Sequence, residues 1–264
     1  MQAFVCSFDR AQVAYEALGS SSTSLVLVHG WCCDRTYWDL QIAPLATRWR
    51  VVRLDLTGHG QSDCGRTDWT MAAFGADVSA VVSATGLTNA ILVGHSMGAD
   101  VVLEAARLLK GRVRGLVWVD QYNQLSTFMS EARVQERIAP FRANFTETTR
   151  AFIQRAFSSA SDSSLIERVA AHISSAPESI ALAALEATWH HGRSVPDLLA
   201  ELDLPVVAIN AERPSTDVLS MEQHGVEVLL MPGVGHFPML ENPSDFNHCL
   251  ARAVELVFPK DADA

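Results

Sequence analysis

The sequence predicts an α/β protein with a mostly parallel, doubly wound sheet and a helical insertion. Three observations predict it. Short apolar runs recur: Leu25 to Val28, Val51 to Leu56, Ala90 to Val93, Gly115 to Val119, Pro205 to Ile209 and Val226 to Met231. Continuous runs of this length suit strands buried on both faces, as in a parallel sheet. Segments of helical period lie between them, roughly Tyr37 to Arg48, Thr70 to Thr85, Met97 to Leu109 and Pro243 to Val257, and strand–helix alternation is the signature of a doubly wound sheet. Residues 123–193 break the alternation. They carry helical patterns (Ser126 to Ile138, Thr146 to Phe157, Ser179 to Trp189) and a serine-rich connector, Ser158-Ser159-Ala160-Ser161, but no buried-strand run.

In chain order, Ala3 to Phe8 and Gln12 to Ala17 read as an antiparallel hairpin at one edge of the sheet. Residues 1–122 and 194–264 then form the core, and 123–193 a lid inserted between two strands. Asn242-Pro243-Ser244 is a helix start, with proline near the first turn. Lys110 to Arg114 reads as cations at a helix C-terminus.

A chain of 264 residues, 48% hydrophobic, can bury one substantial core. With 30 acidic against 20 basic residues and no Lys/Arg cluster, it lacks the basic face that nucleic acid requires. No apolar run approaches the roughly 20 residues of a membrane span, and the N-terminus lacks a signal-peptide pattern. The five cysteines (Cys6, Cys32, Cys33, Cys64, Cys249) are odd in number and irregularly spaced. They suit free thiols and a cytoplasmic location, and the adjacent Cys32-Cys33 has neither zinc nor redox spacing. No metal or other cofactor is expected. The partner is a small-molecule substrate and the assembly a monomer or homodimer.

The stretch Val93-Gly94-His95-Ser96-Met97-Gly98-Ala99 places a serine between two glycines, where a buried run gives way to a helical pattern. This is the nucleophile elbow, a sharp strand–turn–helix that holds a hydroxyl above the sheet edge. The following helix N-terminus favours developing negative charge there. A serine nucleophile needs a base. His236, in Pro232-Gly233-Val234-Gly235-His236-Phe237-Pro238, follows the last strand in a loop that has no other need of a histidine. The N–H groups of Met97 and Trp31 are the candidate oxyanion-hole donors. His59 reads as a backbone-bonding turn residue, and His95 as packing beside the serine on the pocket wall. His190-His191 are adjacent, share no helix face and are not read as a metal site. His172, His224 and His248 read as surface or helix residues, and Asp55 as a brace for the Gly58–Gly60 turn.

These motifs resemble those of the α/β-hydrolase family. The resemblance is carried by His29-Gly30-Trp31, Gly58-His59-Gly60 with Ser62, Gly94-x-Ser96-x-Gly98 and Gly235-His236-Phe237, which lie in the family's order over most of the chain. It implies a Ser–acid–His triad with the acid between Ser96 and His236. In most relatives an aspartate follows the next-to-last strand, but here that place holds Pro214. Glu212 and Asp217 are nearby. Asp120, at the tip of the run ending Val119, is the favoured acid, a position that some relatives use. Ser96, His236 and Asp120 would then cleave a small apolar or aromatic ester through an acyl-enzyme. Trp31, His95, Phe128, Phe145, Trp189 and Phe237 are the candidate substrate wall, with Met129, Phe141 and Phe152 beside them.

Two other readings remain open. The cofactor-independent quinolone ring-cleaving dioxygenases are similar at His29-Gly30-Trp31-Cys32, Asp120 and His236-Phe237-Pro238. Their His/Asp pair deprotonates a substrate hydroxyl. They differ at Cys33, where that group has histidine, and in their less ordinary elbow. A non-enzymatic ligand receptor on the same scaffold would show a large exposed apolar patch on the lid.

Overall fold

The apolar runs become the interior of one sheet. The computed structural model describes residues 2–213 and 216–258. Chain order gives β1 (Gln2–Cys6), β2 (Gln12–Leu18), β3 (Ser24–Val28), α1 (Asp39–Ala46), β4 (Arg50–Leu54), α2 (Met71–Ala84), β5 (Ala90–His95), α3 (Met97–Leu108) and β6 (Val113–Val119). There follow α4 (Glu131–Ala143), α5 (Phe145–Gln154), α6 (Ser163–Ser174), α7 (Glu178–His191), α8 (Val195–Leu202), β7 (Val206–Ala211), α9 (Val218–Glu222), β8 (Val226–Met231), α10 (Pro238–Glu241) and α11 (Pro243–Val257).

The eight strands lie in the order β1-β2-β4-β3-β5-β6-β7-β8. β1 and β2 form the expected antiparallel hairpin, β2 runs antiparallel to β4, and the remaining neighbours are parallel. Every residue of β3, β5 and β7 is buried. Side chains alternate across a strand, so both faces must be covered. α2 and α3 pack together as one cover, and α1 and α11 as another.

Three sequence expectations shift. The run from Val51 ends as strand at Leu54, and the turn that begins at Thr57 follows, braced by the Asp55 carboxylate, which accepts the Gln61 N–H at 2.9 Å. The segment at Tyr37 opens with a 3-10 turn, Arg35–Trp38, before α1. The basic stretch from Lys110 lies beyond the end of α3 and forms the turn into β6, where Arg114 donates to Asn89 Oδ1 at 2.8 Å. The helix start at Asn242 is as read: Asn242 Oδ1 accepts the Asp245 N–H, with Pro243 at the first position.

Five helices, α4 to α8, lie between β6 and β7, and the first four, α4 to α7, make up the insertion. α5 packs on α6 and α4 on α7, and α7 reaches down to α2 and α3. α6 was not among the expected helices. It begins behind Asp162, whose carboxylate accepts the Ser164 and Leu165 N–H groups. No helix among the described residues is long and apolar enough to cross a membrane.

Candidate active site

The parallel strands aim the C-terminal ends of β3, β5, β6, β7 and β8 at one edge, and three of those ends carry Ser96, Asp120 and His236. Ser96 joins β5 to α3 at φ +50° and ψ −126°, a region that L-residues enter at a cost of about 1–3 kcal/mol. Neighbouring backbone leaves no alternative. A Cβ on Gly94 would stand 2.2 Å from Gly98 O, and one on Gly98 would stand 2.6 Å from Val28 O. The Ser96 N–H donates to Val119 O at 2.9 Å, which ties the turn to the end of β6. Met97 is the first residue of α3, so its N–H has no acceptor within the helix.

His236 lies between β8 and α10, and its loop is held from several sides. Its N–H donates to Ala156 O at 2.8 Å, and its carbonyl accepts from His95 Nε2 at 2.7 Å. Glu241 gathers the rest of the loop. One carboxylate oxygen accepts the N–H groups of Gly235 (2.9 Å) and Ser158 (3.0 Å), and the other accepts the Phe237 N–H at 3.0 Å.

The His236 ring donates from Nδ1 to Asp120 Oδ2 at 2.8 Å. That bond leaves Nε2 as the basic nitrogen. Asp120 directly follows β6 and is buried, and its other oxygen accepts the Ala211 N–H at 2.9 Å. Arg213 Nη2 donates to the same oxygen as His236, also at 2.9 Å. Burial pushes the Asp120 carboxyl up, but the His236 hydrogen bond and the charges of His236 and Arg213 hold it below the ordinary aspartate range. The other two candidate acids do not meet His236. Asp217 caps α9, accepting the Ser220 N–H at 3.0 Å, and Glu212 is exposed. Pro214 lies outside the described residues.

A cavity of about 380 Å³ opens over this edge. Ser96, Met97, Trp31, His95, Phe128, Trp189, Phe237 and His236 line it, as do Met129 and Phe152. Phe145 and Phe141 are corrections. Both are buried and stand edge-on to Trp31, with ring centroids 6.2 and 6.0 Å away, so they back the Trp31 indole instead of facing the cavity. The indole is also fixed by its Nε1–H, which donates to Ala181 O on α7 at 2.7 Å.

Three further histidines, His29, His59 and His95, and two thiols, Cys32 and Cys33, are buried. Burial pushes His95 down to about 3, His29 to about 4 and His59 to about 3. His59 bonds the Thr57 carbonyl, as its turn position suggested. Burial raises the Cys32 and Cys33 thiols, which makes both poor nucleophiles. His191 stands apart. Its Nδ1 meets Asp100 Oδ1 at 2.6 Å and its Nε2 meets Glu104 Oε1 at 2.9 Å. Both nitrogens are engaged by carboxylates, so this is an ion network joining α7 to α3. Asp100 also accepts from the Tyr122 hydroxyl and from Gln121 Nε2 (2.6 Å), which sets two polar residues of the cavity wall.

Sequence reasoning missed Arg213, Glu241, Tyr122, Gln121 and Arg137. Only Arg213 left a trace there, as the cation next to the proline that stands where relatives carry their acid.

This strand order, elbow and histidine loop define a recognisable class, and comparison with known proteins gives it a family. A model described as the alpha/beta hydrolase family matches residues 25–248, and the chain belongs to that family. Among curated relatives, a dihydrolipoyllysine-residue acetyltransferase component of the acetoin cleaving system of Cupriavidus necator is 36% identical over 98 residues, 37% of this chain and 26% of that protein. A non-heme haloperoxidase of Rhodococcus erythropolis is 35% identical over 118 residues, 44% of this chain and 43% of the relative. A pimeloyl-[acyl-carrier protein] methyl ester esterase of Methylococcus capsulatus is 39% identical over 92 residues, 35% of this chain and 34% of the relative. The chain therefore matches less than half the length of each. Among solved structures, a thermophilic esterase from Thermogutta terrifontis superposes with a TM-score of 0.83 at 23% identity, over 97% of this chain and 99% of that one. A bromoperoxidase from Bacillus anthracis superposes at 0.79 and 17% identity, over 97% and 100%. At these identities the structural likeness speaks for the fold.

Proposed function

We propose that the protein is a serine hydrolase that cleaves a small carboxylic ester of apolar or aromatic character. The observation that carries this reading is the 2.8 Å bond from His236 Nδ1 to the buried Asp120, with Ser96 held on the same cavity by its elbow. His236 Nε2 takes the Ser96 proton as the serine oxygen attacks the ester carbonyl. The N–H groups of Met97 and Trp31 receive the negative charge that develops on the carbonyl oxygen. The tetrahedral adduct collapses, and the imidazolium gives its proton to the departing alcohol. A water then loses a proton to His236 and attacks the acyl-serine, and the acid leaves as Ser96 recovers its hydrogen. Asp120 stays ionised throughout and offsets the imidazolium charge. α4 to α7 act as a cap over the cavity and shield the acyl-enzyme.

The dioxygenase reading uses the same His236–Asp120 pair but forms no bond to Ser96, and the receptor reading needs no turnover. Labelling with a fluorophosphonate separates them. The expected result is one adduct per chain, mapped by mass spectrometry to the peptide bearing Ser96 and absent in Ser96→Ala. Folded protein that takes up no label would refute the acylation mechanism.

A further inference from the structure

We propose that Arg137 is the receptor for an anionic group on the substrate, so that the natural ester carries a carboxylate remote from the bond that is cut. This rests on the hydrolase reading above and deepens it. Arg137, on α4, lines the cavity that Ser96 and His236 share. No aspartate or glutamate lines that cavity among the described residues, and Arg137 is its one arginine or lysine.

The lack of a partner is specific to this residue. Arg133 and Arg142, on the same helix, pair with Glu136 at 2.6 Å and Glu186 at 2.8 Å. Among the described residues, Arg137 has no carboxylate within ion-pair distance. Its guanidinium instead lies over the Trp189 ring, 4.7 Å from the centroid, with Met129 Sδ at 3.4 Å from Nη1. The chain has 30 acidic residues against 20 basic ones, so acids are abundant. Arg137 remains exposed to solvent overall. Its partial burial and the Arg133 charge disfavour the charged form, and an incoming anion offsets both. Planar guanidinium takes a carboxylate bidentately, and a ring at its back does not block that edge. Phe128, Met129 and Trp189 around it receive the apolar body of the ligand, while Asn123, Gln124 and Thr127 supply polar wall.

Binding is read separately from turnover, in Ser96→Ala, from the fluorescence of the cavity tryptophans Trp31 and Trp189. Two matched series are titrated: 3- and 4-carboxyphenyl acetate against phenyl acetate, and methyl esters of dicarboxylic acids of increasing length against methyl alkanoates. The expected result is a carboxylated ester that binds about tenfold tighter than its neutral match, in whichever series reaches Arg137. The preference should fall to near one in Ser96→Ala/Arg137→Gln, survive in part with Arg137→Lys, and weaken with added salt. Equal binding of neutral and charged esters in both series, or a preference that survives Arg137→Gln, would overturn the proposal. Turnover of the same esters by the unmutated protein judges the hydrolase reading. Its failure would leave the affinity ratio to decide the role of Arg137.

Discussion

Ser96 is held by residues on either side of it in the chain, whereas His236 and Asp120 are held by residues from separate segments. The serine's geometry comes from β5, α3 and two glycines within two residues of it, with one outside backbone bond to Val119. The histidine–acid pair draws on β6, the end of β7, the loop after β8, α10 and the segment around Ala156 to Ser158. The first arrangement is built from backbone shape and the second from side-chain charge and hydrogen bonds. Damage to the first should therefore cost structure and activity together. Damage to the second should cost activity while leaving the fold.

The sharpest separation is Asp120→Asn. The amide cannot offset an imidazolium and holds the ring in the wrong tautomer, so kcat should fall by about three to four orders of magnitude with circular dichroism unchanged. Activity near that of the unmutated protein would move the acid elsewhere. Gly98→Ala tests the other side. Its Cβ would meet Val28 O at 2.6 Å and His29 O at 2.7 Å, both backbone atoms that cannot step aside. We expect a loss of roughly 1–3 kcal/mol in urea unfolding together with lost activity. An alanine variant of full stability would show that the elbow is not set by this contact.

His191 braces the first region from outside, because it ties α7 to the helix that follows the serine. Burial alone would push its imidazole down, but Asp100 and Glu104 overcome this and lift it to about 9. A raised folded-state value means that the charged form stabilises the protein. That contribution is complete below the ordinary histidine value of 6.5 and is lost as pH rises through about 9. Urea unfolding at pH 6 and pH 10 should show a fall on the order of 3 kcal/mol, most of it absent in His191→Gln. A pH-independent difference between the two proteins would contradict the assignment.

The smallest effect concerns Arg213. It shares Asp120 Oδ2 with His236, so it draws on the negative charge that supports the imidazolium. In Arg213→Gln the Asp120 carboxyl loses one of the charges that hold it below the ordinary aspartate range, and kcat/KM at neutral pH should change by less than about threefold. A loss as large as that of Asp120→Asn would show that the arginine is needed to hold the acid in place.

The contrast between the two regions also explains what could be read from the chain. The elbow, the six core parallel runs and the edge hairpin were legible because each is a local pattern of polarity and glycine. His236 stood out because a glycine-flanked histidine after the last strand has no structural task. Asp120 was visible as a carboxylate at a strand tip and the family resemblance paired it with His236, but their 2.8 Å bond depends on β6 and β8 lying on either side of β7. Glu241 and Arg137 gave no local signal. Their partners are set by how α10 meets the loop after β8 and how α4 meets α7. Residue type alone points Phe145 to the cavity. Which face of α5 carries it depends on α5 packing against Trp31, which periodicity does not reveal. α6 is hidden in the sequence for a related reason, since its serine-rich opening has the composition of a connector and its start depends on the Asp162 cap.

The central claim is that Ser96 is acylated, and pre-steady-state kinetics test it most directly. In stopped-flow mixing with short-chain p-nitrophenyl esters, p-nitrophenol should appear in a burst near one equivalent per chain and then at the steady rate. The burst should be absent in Ser96→Ala. A burst that persists in Ser96→Ala, or well-folded protein that releases no p-nitrophenol at all, would contradict the account.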